Sequence, residues 1–310
     1  MTSRTFGALI GLAVSLVLAA SASATTPPTR QFQSTYAAYD PWTAWERWKP
    51  QPQCTESQVI YGSEPATTGT YPVLIYVHGT GANLTDNQEG QVMAQLAAAQ
   101  GFVAVAPTYD SVRTNNAAGV AGHAACMFGE GNADNVESYA CSLPEANCSD
   151  GVLVAGFSQG GVIALLAANY SPLVDAAWVM GVNGSIPQIE PPPSGLRRLP
   201  DDRVRLNIGQ LDLTKGGGGP FEPNGIEAVT GENCGIAYDC LQPDGAGYYV
   251  VSNEEVADHI ADHCYWESVH LRDYSCTLRP TIAGLDPGFA PPSTTPWSLI
   301  SNLNWLRSQL

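Results

Sequence analysis

Six short runs rich in apolar residues divide the chain and predict the strands of a sheet. The continuous run at 73–77 is typical of a strand that is buried on both faces. The runs cover residues 73–77, 102–106, 151–155, 174–182, 204–208 and 248–251. A helical pattern at 88–100 connects the first two runs, and another at 162–169 follows the third. Weaker patterns predict a short strand at 59–62 and a short helix at 132–141. Alternating strands and helices predict right-handed crossovers and a doubly wound, mostly parallel α/β sheet with helices on both faces.

The N-terminal part beyond the first 24 residues is less regular. Residues 25–53 are polar and contain proline, and we expect them to wrap the surface. Within them Trp42, Trp45 and Trp48 recur every three residues, which places them on one face of a short helix. That face either packs on the main body or forms an aromatic wall near a substrate groove.

The C-terminal part contains two further irregular segments. Residues 213–247 predict an insertion that runs as a loop over one sheet edge, and residues 265–296 form an irregular tail. The Ser-Thr-Thr-Pro run at 293–296 predicts the start of a final helix. Its apolar stripe consists of Leu299, Leu303, Leu306 and Leu310. Since no hydrophilic linker interrupts the chain, residues 25–310 are expected to form a single catalytic domain.

Residues 1–24 have the pattern of a secretory signal peptide. Arg4 supplies the basic start, and the apolar core at 6–20 is short for a membrane span. Ala22-Ser23-Ala24 is an A-x-A cleavage site, although an uncleaved anchor is the alternative. We therefore expect a secreted or periplasmic protein with no stable membrane insertion once this segment is removed.

Export to an oxidising compartment makes the eight cysteines candidates for disulfides that reinforce the loops. No C-x-x-C pair and no cysteine–histidine cluster has zinc spacing, so we expect no metal and no other cofactor. Spacing suggests three local pairs and leaves a fourth by elimination, although roughly a hundred connectivities are open in principle. The pairs are Cys141 with Cys148, Cys234 with Cys240, Cys264 with Cys276, and Cys54 with Cys126.

Composition limits the partners more than it identifies them. With 310 residues and an apolar fraction of 44%, the chain can build one large α/β core. The formal net charge of −16 repels polyanions, so we expect no nucleic-acid partner and no attraction to anionic membranes. The acidity is that of a soluble surface, and we expect a monomer.

The third apolar run ends in a G-x-S-x-G sequence at 156–160, and a helix follows it. A nucleophilic serine must stand clear of the strand ends on a tight strand-to-helix turn, where glycines relieve the crowding. The N–H groups that begin the following helix favour developing negative charge. Ser158 is therefore the candidate nucleophile, although a glycine-rich turn can also carry an idle serine.

The first apolar run leads into His-Gly-Thr-Gly at 78–81, at the carboxyl edge where doubly wound sheets place their sites. Its glycines allow backbone N–H groups to turn toward a bound carbonyl oxygen. We assign one oxyanion donor to the N–H of Thr80 and the other to the N–H of Gln159, the residue after the nucleophile. A plain glycine turn is the simpler alternative.

Asp212 follows the fifth run directly, and His259 and His263 both follow the sixth. Asp212 is the candidate for the group that orients a catalytic base, or else an ordinary turn aspartate. Each histidine ends an Ala-Asp-His triplet, and either could lie in a surface loop. We favour His263 as the base because the adjacent Cys264 could fix its loop through a disulfide, and His259 is the alternative.

Together these motifs resemble the α/β-hydrolase superfamily, in which H-G-x-G, G-x-S-x-G, an acid and a histidine follow successive strands in this order. The similarity covers about 71–182, 204–212 and 248–263. The strand that enters the H-G-T-G sequence is similar to that of secreted polyester-hydrolase, chlorophyllase-like and dienelactone-hydrolase-like members. The G-x-S-x-G turn resembles that of cutinases, usually G-Y-S-Q-G, which lack the H-G-x-G strand end. Dienelactone hydrolases usually have cysteine where this chain has Ser158.

The resemblance implies a secreted serine hydrolase that cleaves carboxylic esters through an acyl-enzyme with a Ser-His-Asp triad. A secreted peptidase or amidase of the same fold is the second interpretation, because the fold alone does not determine the function. A non-catalytic binding protein on this fold is the third. Phe157, Tyr265 and Trp266 flank the motifs and favour a neutral ester substrate, either a small molecule or a polymer.

Overall fold

The computed structural model describes residues 27–41, 53–81, 87–182, 199–212, 223–268, 276–277 and 280–310. The signal peptide predicted at 1–24 and the tryptophan repeat at 42–48 lie outside these ranges. Of the insertion predicted at 213–247, the structure describes residues from 223 onward.

Nine strands and six α-helices make up the regular structure of the described residues. The strands are β1 (Thr29–Tyr39), β2 (Cys54–Pro65), β3 (Tyr71–Val77), β4 (Val103–Pro107), β5 (Ala146–Phe157), β6 (Val174–Met180), β7 (Val204–Gly209), β8 (Asp239–Leu241) and β9 (Gly247–Val251). The helices are α1 (Gln88–Ala99), α2 (Ala117–Phe128), α3 (Val136–Cys141), α4 (Gln159–Leu166), α5 (Pro223–Thr230) and α6 (Leu299–Arg307).

All of these strands belong to one sheet with the order β1-β2-β4-β3-β5-β6-β7-β9-β8. The neighbours from β4 to β9 pair in parallel. The strands β1 and β2 at one edge and β8 at the other pair antiparallel. Because β3 lies between β4 and β5, the chain reverses its direction of winding there, and the carboxyl ends of β3 and β5 adjoin at this switch point. The predicted doubly wound, mostly parallel sheet is therefore confirmed.

Helices cover both faces of the sheet because its central strands are apolar on both sides. Val73, Ile75 and Val77 of β3 belong to one buried cluster, together with residues of α2, α3, α4 and α5. Leu74 and Tyr76 of the same strand belong to the other, together with residues of α1 and α6. Burying a large apolar side chain contributes about 1.5–3 kcal/mol, so the two clusters supply most of the driving force for this layered arrangement.

Four disulfides reinforce the loops, and no described cysteine is free. They join Cys54 to Cys126, Cys141 to Cys148, Cys234 to Cys240, and Cys264 to Cys276. These are the four pairs suggested by the spacing of the cysteines. No described helix is both long enough and apolar enough to cross a membrane.

The edges of the sheet differ most from the sequence-based prediction. Part of the segment expected to wrap the surface is the long strand β1, and the four-residue strand predicted at 59–62 is the twelve-residue β2. The insertion is not only a loop, because it contains α5 and the edge strand β8. Edge strands keep one side in solvent and therefore lack the continuous apolar run that marks a central strand.

The final helix begins later than predicted. Ser298 is its N-cap and accepts the N–H of Ser301, so the Ser-Thr-Thr-Pro run at 293–296 precedes α6. Two contacts hold that run outside the helix. The Thr295 hydroxyl donates to the carbonyl of Gly288, and the buried guanidinium of Arg205 donates to the carbonyl of Pro296 at 2.7 Å.

Candidate active site

Ser158 occupies the sharp turn between β5 and α4 and has a backbone conformation that non-glycine residues rarely adopt. Its φ of 53° and ψ of −121° are strained, at a cost of about 1–3 kcal/mol. The Ser158 N–H donates to the carbonyl of Met180 at 2.8 Å, which secures the turn against β6. Although Ser158 stands at the N-cap position of α4, its hydroxyl does not cap the helix. The Ser158 side chain is half-buried, and its hydroxyl is not used to cap the helix.

The two glycines of the G-x-S-x-G sequence allow this turn to lie close to its surroundings. A Cβ atom at Gly156 would overlap the backbone of Gly160. A Cβ atom at Gly160 would overlap the carbonyl oxygens of Val77 and His78 at the end of β3. Close packing therefore requires glycine at both positions of the G-x-S-x-G sequence. Larger residues would separate the serine turn from the strand that leads into His-Gly-Thr-Gly.

Asp212 and His263 lie together at the carboxyl edge of the sheet. Nδ1 of His263 is 3.0 Å from Oδ1 and 3.0 Å from Oδ2 of Asp212. Asp212 follows β7 and His263 follows β9, and these strands are neighbours. The Leu211 N–H also donates to the carbonyl of Ala261 at 2.7 Å, which ties the two loops together.

His263 lies beside the serine turn. Its ring centroid is 4.6 Å from that of Phe157, the residue before Ser158. A Cβ atom at Gly181 would come within 2.9 Å of the His263 ring, so the glycine leaves the space that the imidazole occupies. Trp266 and Phe157 make a T-shaped contact, with ring centroids 5.4 Å apart.

The three aromatic residues that the sequence placed next to a substrate lie in the protein core instead. Tyr265 and Trp266 are fully buried, and Phe157 is 3% exposed. All three belong to the cluster that packs between the sheet, α1 and α6. Phe157 packs against His263 inside the protein, and the three rings do not form an open apolar groove because they are buried.

The two residues assigned to the oxyanion site also lie together. The Thr80 hydroxyl donates to Oε1 of Gln159 at 2.8 Å, and Nε2 of Gln159 donates to the carbonyl of Thr114 at 3.2 Å. The N–H of Gln159 has no acceptor within its own helix, because Gln159 is the first residue of α4. A Cβ atom at Gly79 would lie 3.5 Å from Cβ of Ser158, so the H-G-T-G loop adjoins the serine.

The other histidines that the structure describes have different surroundings. His259 is exposed, and its Nδ1 lies 3.2 Å from the carbonyl oxygen of Asn253. His78 and His123 are buried on either side of Tyr109, with ring centroids 4.3 Å and 4.7 Å from it. Burial lowers the pKa of His78 to about 4 and that of His123 to about 3, so both rings are neutral near pH 7.

Two polar side chains that contact the H-G-T-G loop were not singled out from the sequence. Glu89, in the first turn of α1, accepts the N–H of Gly79, and the Tyr109 hydroxyl donates to the carbonyl of His78 at 2.7 Å. Burial raises the pKa of Glu89 to about 8. A signal was available, since Glu89 precedes the buried Leu96 by seven residues and shares its helix face.

The chlorophyllase family model matches residues 44–183 of the chain. The matched part includes the H-G-T-G loop and the serine turn, and it ends before Asp212 and His263. The similarity to chlorophyllase-like proteins expected from the motifs is thereby confirmed. No curated protein shows significant similarity to the sequence.

Several solved structures are similar to this chain at low identity. A hypothetical protein from Pseudomonas aeruginosa is 19% identical over 49% of this chain and 43% of its own, with a TM-score of 0.36. A Klebsiella pneumoniae protein assigned as a dienelactone hydrolase is 16% identical over 72% and 85%, with a TM-score of 0.42. Esterase B from Lactobacillus rhamnosis is 17% identical over 59% and 67%, with a TM-score of 0.36. The chain thus spans less than half of the first of these proteins.

Proposed function

We propose that this chain is a secreted serine esterase of the α/β-hydrolase fold that acts on neutral carboxylic esters. The match of the chlorophyllase family model to residues 44–183 and the doubly wound sheet support the proposal. One observation carries the proposal. The buried carboxylate of Asp212 lies against Nδ1 of His263, and His263 packs beside the strained turn that holds Ser158. A nucleophile, a base and a group that orients the base are the three parts that acyl transfer through serine requires.

In the acylation step, Oγ of Ser158 attacks the carbonyl carbon of the ester and its proton passes to Nε2 of His263. The carboxylate of Asp212 accepts a hydrogen bond from the Nδ1–H of His263, so it keeps the basic lone pair on Nε2 and stabilises the imidazolium that forms. The tetrahedral intermediate then collapses. The bond from the carbonyl carbon to the alkoxy oxygen breaks, and His263 returns the proton to the departing alcohol.

In the deacylation step, a water molecule takes the place of the alcohol. His263 removes a proton from the water as its oxygen attacks the acyl carbon, and the second intermediate releases the carboxylic acid with Ser158 protonated again. The same three side chains therefore serve both halves of the reaction, and the net chemistry is hydrolysis of one ester bond.

The oxyanion of each intermediate is assigned to two backbone donors, the N–H groups of Thr80 and Gln159. The hydrogen bond between their side chains supports this assignment, because it holds the two residues next to each other. Loss of one donor in such a site typically costs about 10²–10³ in kcat. The N-terminus of α4 adds a favourable field for the negative charge.

Secretion is part of the proposal and is supported by the four disulfides. Structural disulfides persist in oxidising compartments and are rare in the reducing cytosol. The protein purified from a secreting host and denatured without reductant is expected to contain no titratable thiol. Two or more free thiols per chain would contradict this part of the proposal.

The catalytic part can be tested with a fluorophosphonate probe and p-nitrophenyl butyrate. We expect the probe to label the wild type once per chain, and Ser158→Ala to abolish labelling and reduce turnover by several orders of magnitude, about 10⁶-fold. Ser149→Ala, at an exposed position, is the control that should behave as the wild type. A folded Ser158→Ala variant that keeps substantial activity would exclude the mechanism.

The same preparation separates the ester function from its alternatives. A non-catalytic binding protein would not be labelled, whereas a peptidase or amidase would also be labelled. An anilide with the same acyl group distinguishes the last case. The proposed esterase should cleave the ester far faster than the anilide, and an equal or reversed preference would assign the enzyme to amide hydrolysis.

A further inference from the structure

We propose that Glu89 is a positioning residue that sets the direction of the Thr80 N–H in the oxyanion site. The proposal rests on the proposed esterase function, because that function assigns the Thr80 N–H to the oxyanion. Glu89 itself touches no reacting atom. It acts through the backbone of Gly79, the residue before Thr80.

The peptide unit between His78 and Gly79 is held at both ends by buried side chains. Its N–H, on Gly79, donates to the carboxyl group of Glu89, at 3.1 Å from Oε1 and 3.3 Å from Oε2. Its carbonyl, on His78, accepts the hydroxyl of Tyr109 at 2.7 Å. A peptide unit is planar, so two contacts at opposite ends fix its orientation.

The next peptide unit carries the oxyanion donor. It consists of the Gly79 carbonyl and the Thr80 N–H, and Nδ1 of His78 lies 2.7 Å from the carbonyl oxygen. In a trans peptide the C=O and N–H point in opposite directions, so a donor that holds the carbonyl also aims the Thr80 N–H. Gly79 joins the two units and has no side chain to restrict its rotation, so the first unit must be held for the second to keep its direction.

Glu89 is itself held rigidly. The Asn87 side chain caps α1 by accepting the Gly90 N–H at 2.8 Å, and it donates to the carbonyl of Pro107 at 3.1 Å. A Cβ atom at Gly90 would come within 2.7 Å of Cβ of Ala106, so the start of α1 lies directly on β4. The Tyr76 hydroxyl donates to Oε1 of Glu89 at 2.8 Å and gives the carboxyl group a second hydrogen-bond donor.

Packing alone does not account for a carboxyl group at this position. Glu89 is 8% exposed, and burial of a carboxyl group costs more than burial of an apolar side chain of the same size. Burial and the nearby Glu267 raise its pKa, whereas the hydrogen bonds from Tyr76 and Gly79 lower it. One of the two contacts that offset the cost, the hydrogen bond from the Gly79 N–H, therefore comes from the backbone of the loop beside Ser158.

A comparison of two buried glutamates tests the proposal. Glu137 also lies in the first turn of a helix and is 7% exposed, but its carboxyl group accepts the hydroxyl of Ser171 and does not contact the site. We expect Glu89→Leu to reduce kcat/KM for p-nitrophenyl butyrate by about tenfold to a hundredfold, as small displacements of a reacting group do. Glu137→Leu should lower only the melting temperature. Glu89→Gln keeps an acceptor for the Gly79 N–H and should restore most of the activity.

Two inhibitors test whether the loss of activity in Glu89→Leu comes from weaker stabilisation of the oxyanion. A butyl trifluoromethyl ketone forms a tetrahedral adduct with the serine, and its Ki should rise for Glu89→Leu by the same factor as kcat/KM falls. The corresponding methyl ketone, a ground-state analogue, should bind unchanged. Should Glu89→Leu fail to fold, Tyr109→Phe removes the contact at the other end of the same peptide unit and should give the same pattern.

The results separate this inference from the function on which it rests. Equal effects on both ketones, or activity of a folded Glu89→Leu variant equal to that of Glu137→Leu, would overturn the positioning role while the esterase mechanism stands. A wild type that neither hydrolyses the ester nor reacts with the fluorophosphonate would instead remove the proposed function.

Discussion

Nδ1 of His263 lies 3.0 Å from both carboxylate oxygens of Asp212, and the two side chains differ sharply in exposure. The Asp212 side chain is fully buried, whereas that of His263 is 19% exposed. One edge of the imidazole is therefore held inside the protein while the ring keeps access to the surface. A base that must exchange protons with a substrate and with water needs this combination.

The pairing predicts a specific defect for Asp212→Asn. The amide retains the shape of the carboxylate, but its NH₂ group can favour the His263 tautomer that carries its proton on Nε2. We expect kcat for p-nitrophenyl butyrate to fall by about 10⁴-fold with little change in melting temperature. Asp258→Asn is the control, because Oδ1 of Asp258 accepts the N–H of Ile260 and the amide oxygen can do the same. A kcat within a few-fold of wild type would remove Asp212 from the mechanism.

The two Ala-Asp-His triplets give a second prediction. His263→Ala should cost about as much activity as Ser158→Ala, because a nucleophile and its base act as one unit. His259→Ala should cost little, since the His259 side chain is exposed and its nearest hydrogen-bonding group is the carbonyl of Asn253. The measurement is kcat/KM for both variants at one pH. Reversed results would assign the base to His259 and leave the serine mechanism in place.

The central part of the fold could be predicted because its strands are buried on both faces. Residues 73–77 form an uninterrupted apolar run that corresponds to the last five residues of β3. Residues 204–208 correspond to the first five residues of β7 and are apolar at alternate positions. The first run ends directly before the H-G-T-G loop and the second ends four residues before Asp212, so the order of motifs along the chain was visible without the structure. The strand β1 lies at an edge of the sheet, where it pairs with β2, and most of its first half is exposed to solvent. It therefore lacks the apolar run that marks a central strand in the sequence, and it was not predicted.

The candidate site was predictable only where a local motif marks it. The turn around Ser158 needs glycines at fixed offsets, and these appear in the sequence as G-x-S-x-G. Glu89 and Tyr109 have no such motif, because each reaches the H-G-T-G loop through one hydrogen bond to the backbone. Contacts of this kind depend on how α1 and the segment after β4 pack over the end of β3, which a single sequence does not reveal.

The buried histidines predict that the protein loses stability in acid. Burial lowers the pKa of His123 to about 3 and that of His78 to about 4, against about 6.5 for an unfolded chain. Between pH 6.5 and 4 the unfolded state binds protons that the folded state does not, so the free energy of unfolding decreases as the pH falls. Above pH 6.5 both states are neutral and this contribution is fully present.

Urea unfolding of the wild type and of His123→Gln at pH 7.5, 6.0 and 5.0 tests the predicted direction of this pH dependence. The glutamine can still hydrogen-bond the Thr114 hydroxyl that contacts Nε2 of His123, but it does not titrate. The free energy of unfolding of the wild type relative to the variant should therefore decrease as the pH falls. A difference between the two proteins that stays constant with pH would show that His123 protonates equally in both states.

The disulfide next to the base predicts a loss of activity that another disulfide does not share. Cys264 follows His263 directly and is bonded to Cys276, whereas Cys234 and Cys240 lie at the β8 edge of the sheet. Removing either bond should cost about 2–5 kcal/mol of stability. Only the Cys264→Ser, Cys276→Ser variant should also lose kcat/KM at a temperature where both variants are folded, because its bond holds the loop of the base. Equal activity of the two double variants would contradict this role.

The loops beside the site predict a preference for uncharged acyl groups. Val112 is 69% exposed on the loop whose Thr114 carbonyl holds Gln159, and Ile260 is 43% exposed three residues before His263. Apolar side chains at such positions can cover an acyl chain, with a gain of about 0.8 kcal/mol for each methylene buried. Arg113, on the same loop as Val112, is already paired with the buried Asp110, and the chain carries a net charge of −16. Among the described residues of the two loops that carry Val112 and Ile260, a carboxylate close to the ester bond would therefore find no unpaired Arg or Lys.

We accordingly expect kcat/KM to be much higher for a butyrate ester than for the succinate hemiester of the same alcohol, and higher for butyrate than for acetate. Val112→Ser should reduce the ratio of butyrate to acetate. Ile236→Ser is the matched control, because Ile236 is 83% exposed and lies just before the edge strand β8, so its loss should leave the ratio unchanged. The comparison is made at moderate salt, where screening weakens long-range repulsion and leaves the local contacts. A hemiester cleaved as well as the butyrate would reveal a basic subsite, and equal ratios in the two variants would remove Val112 from acyl binding.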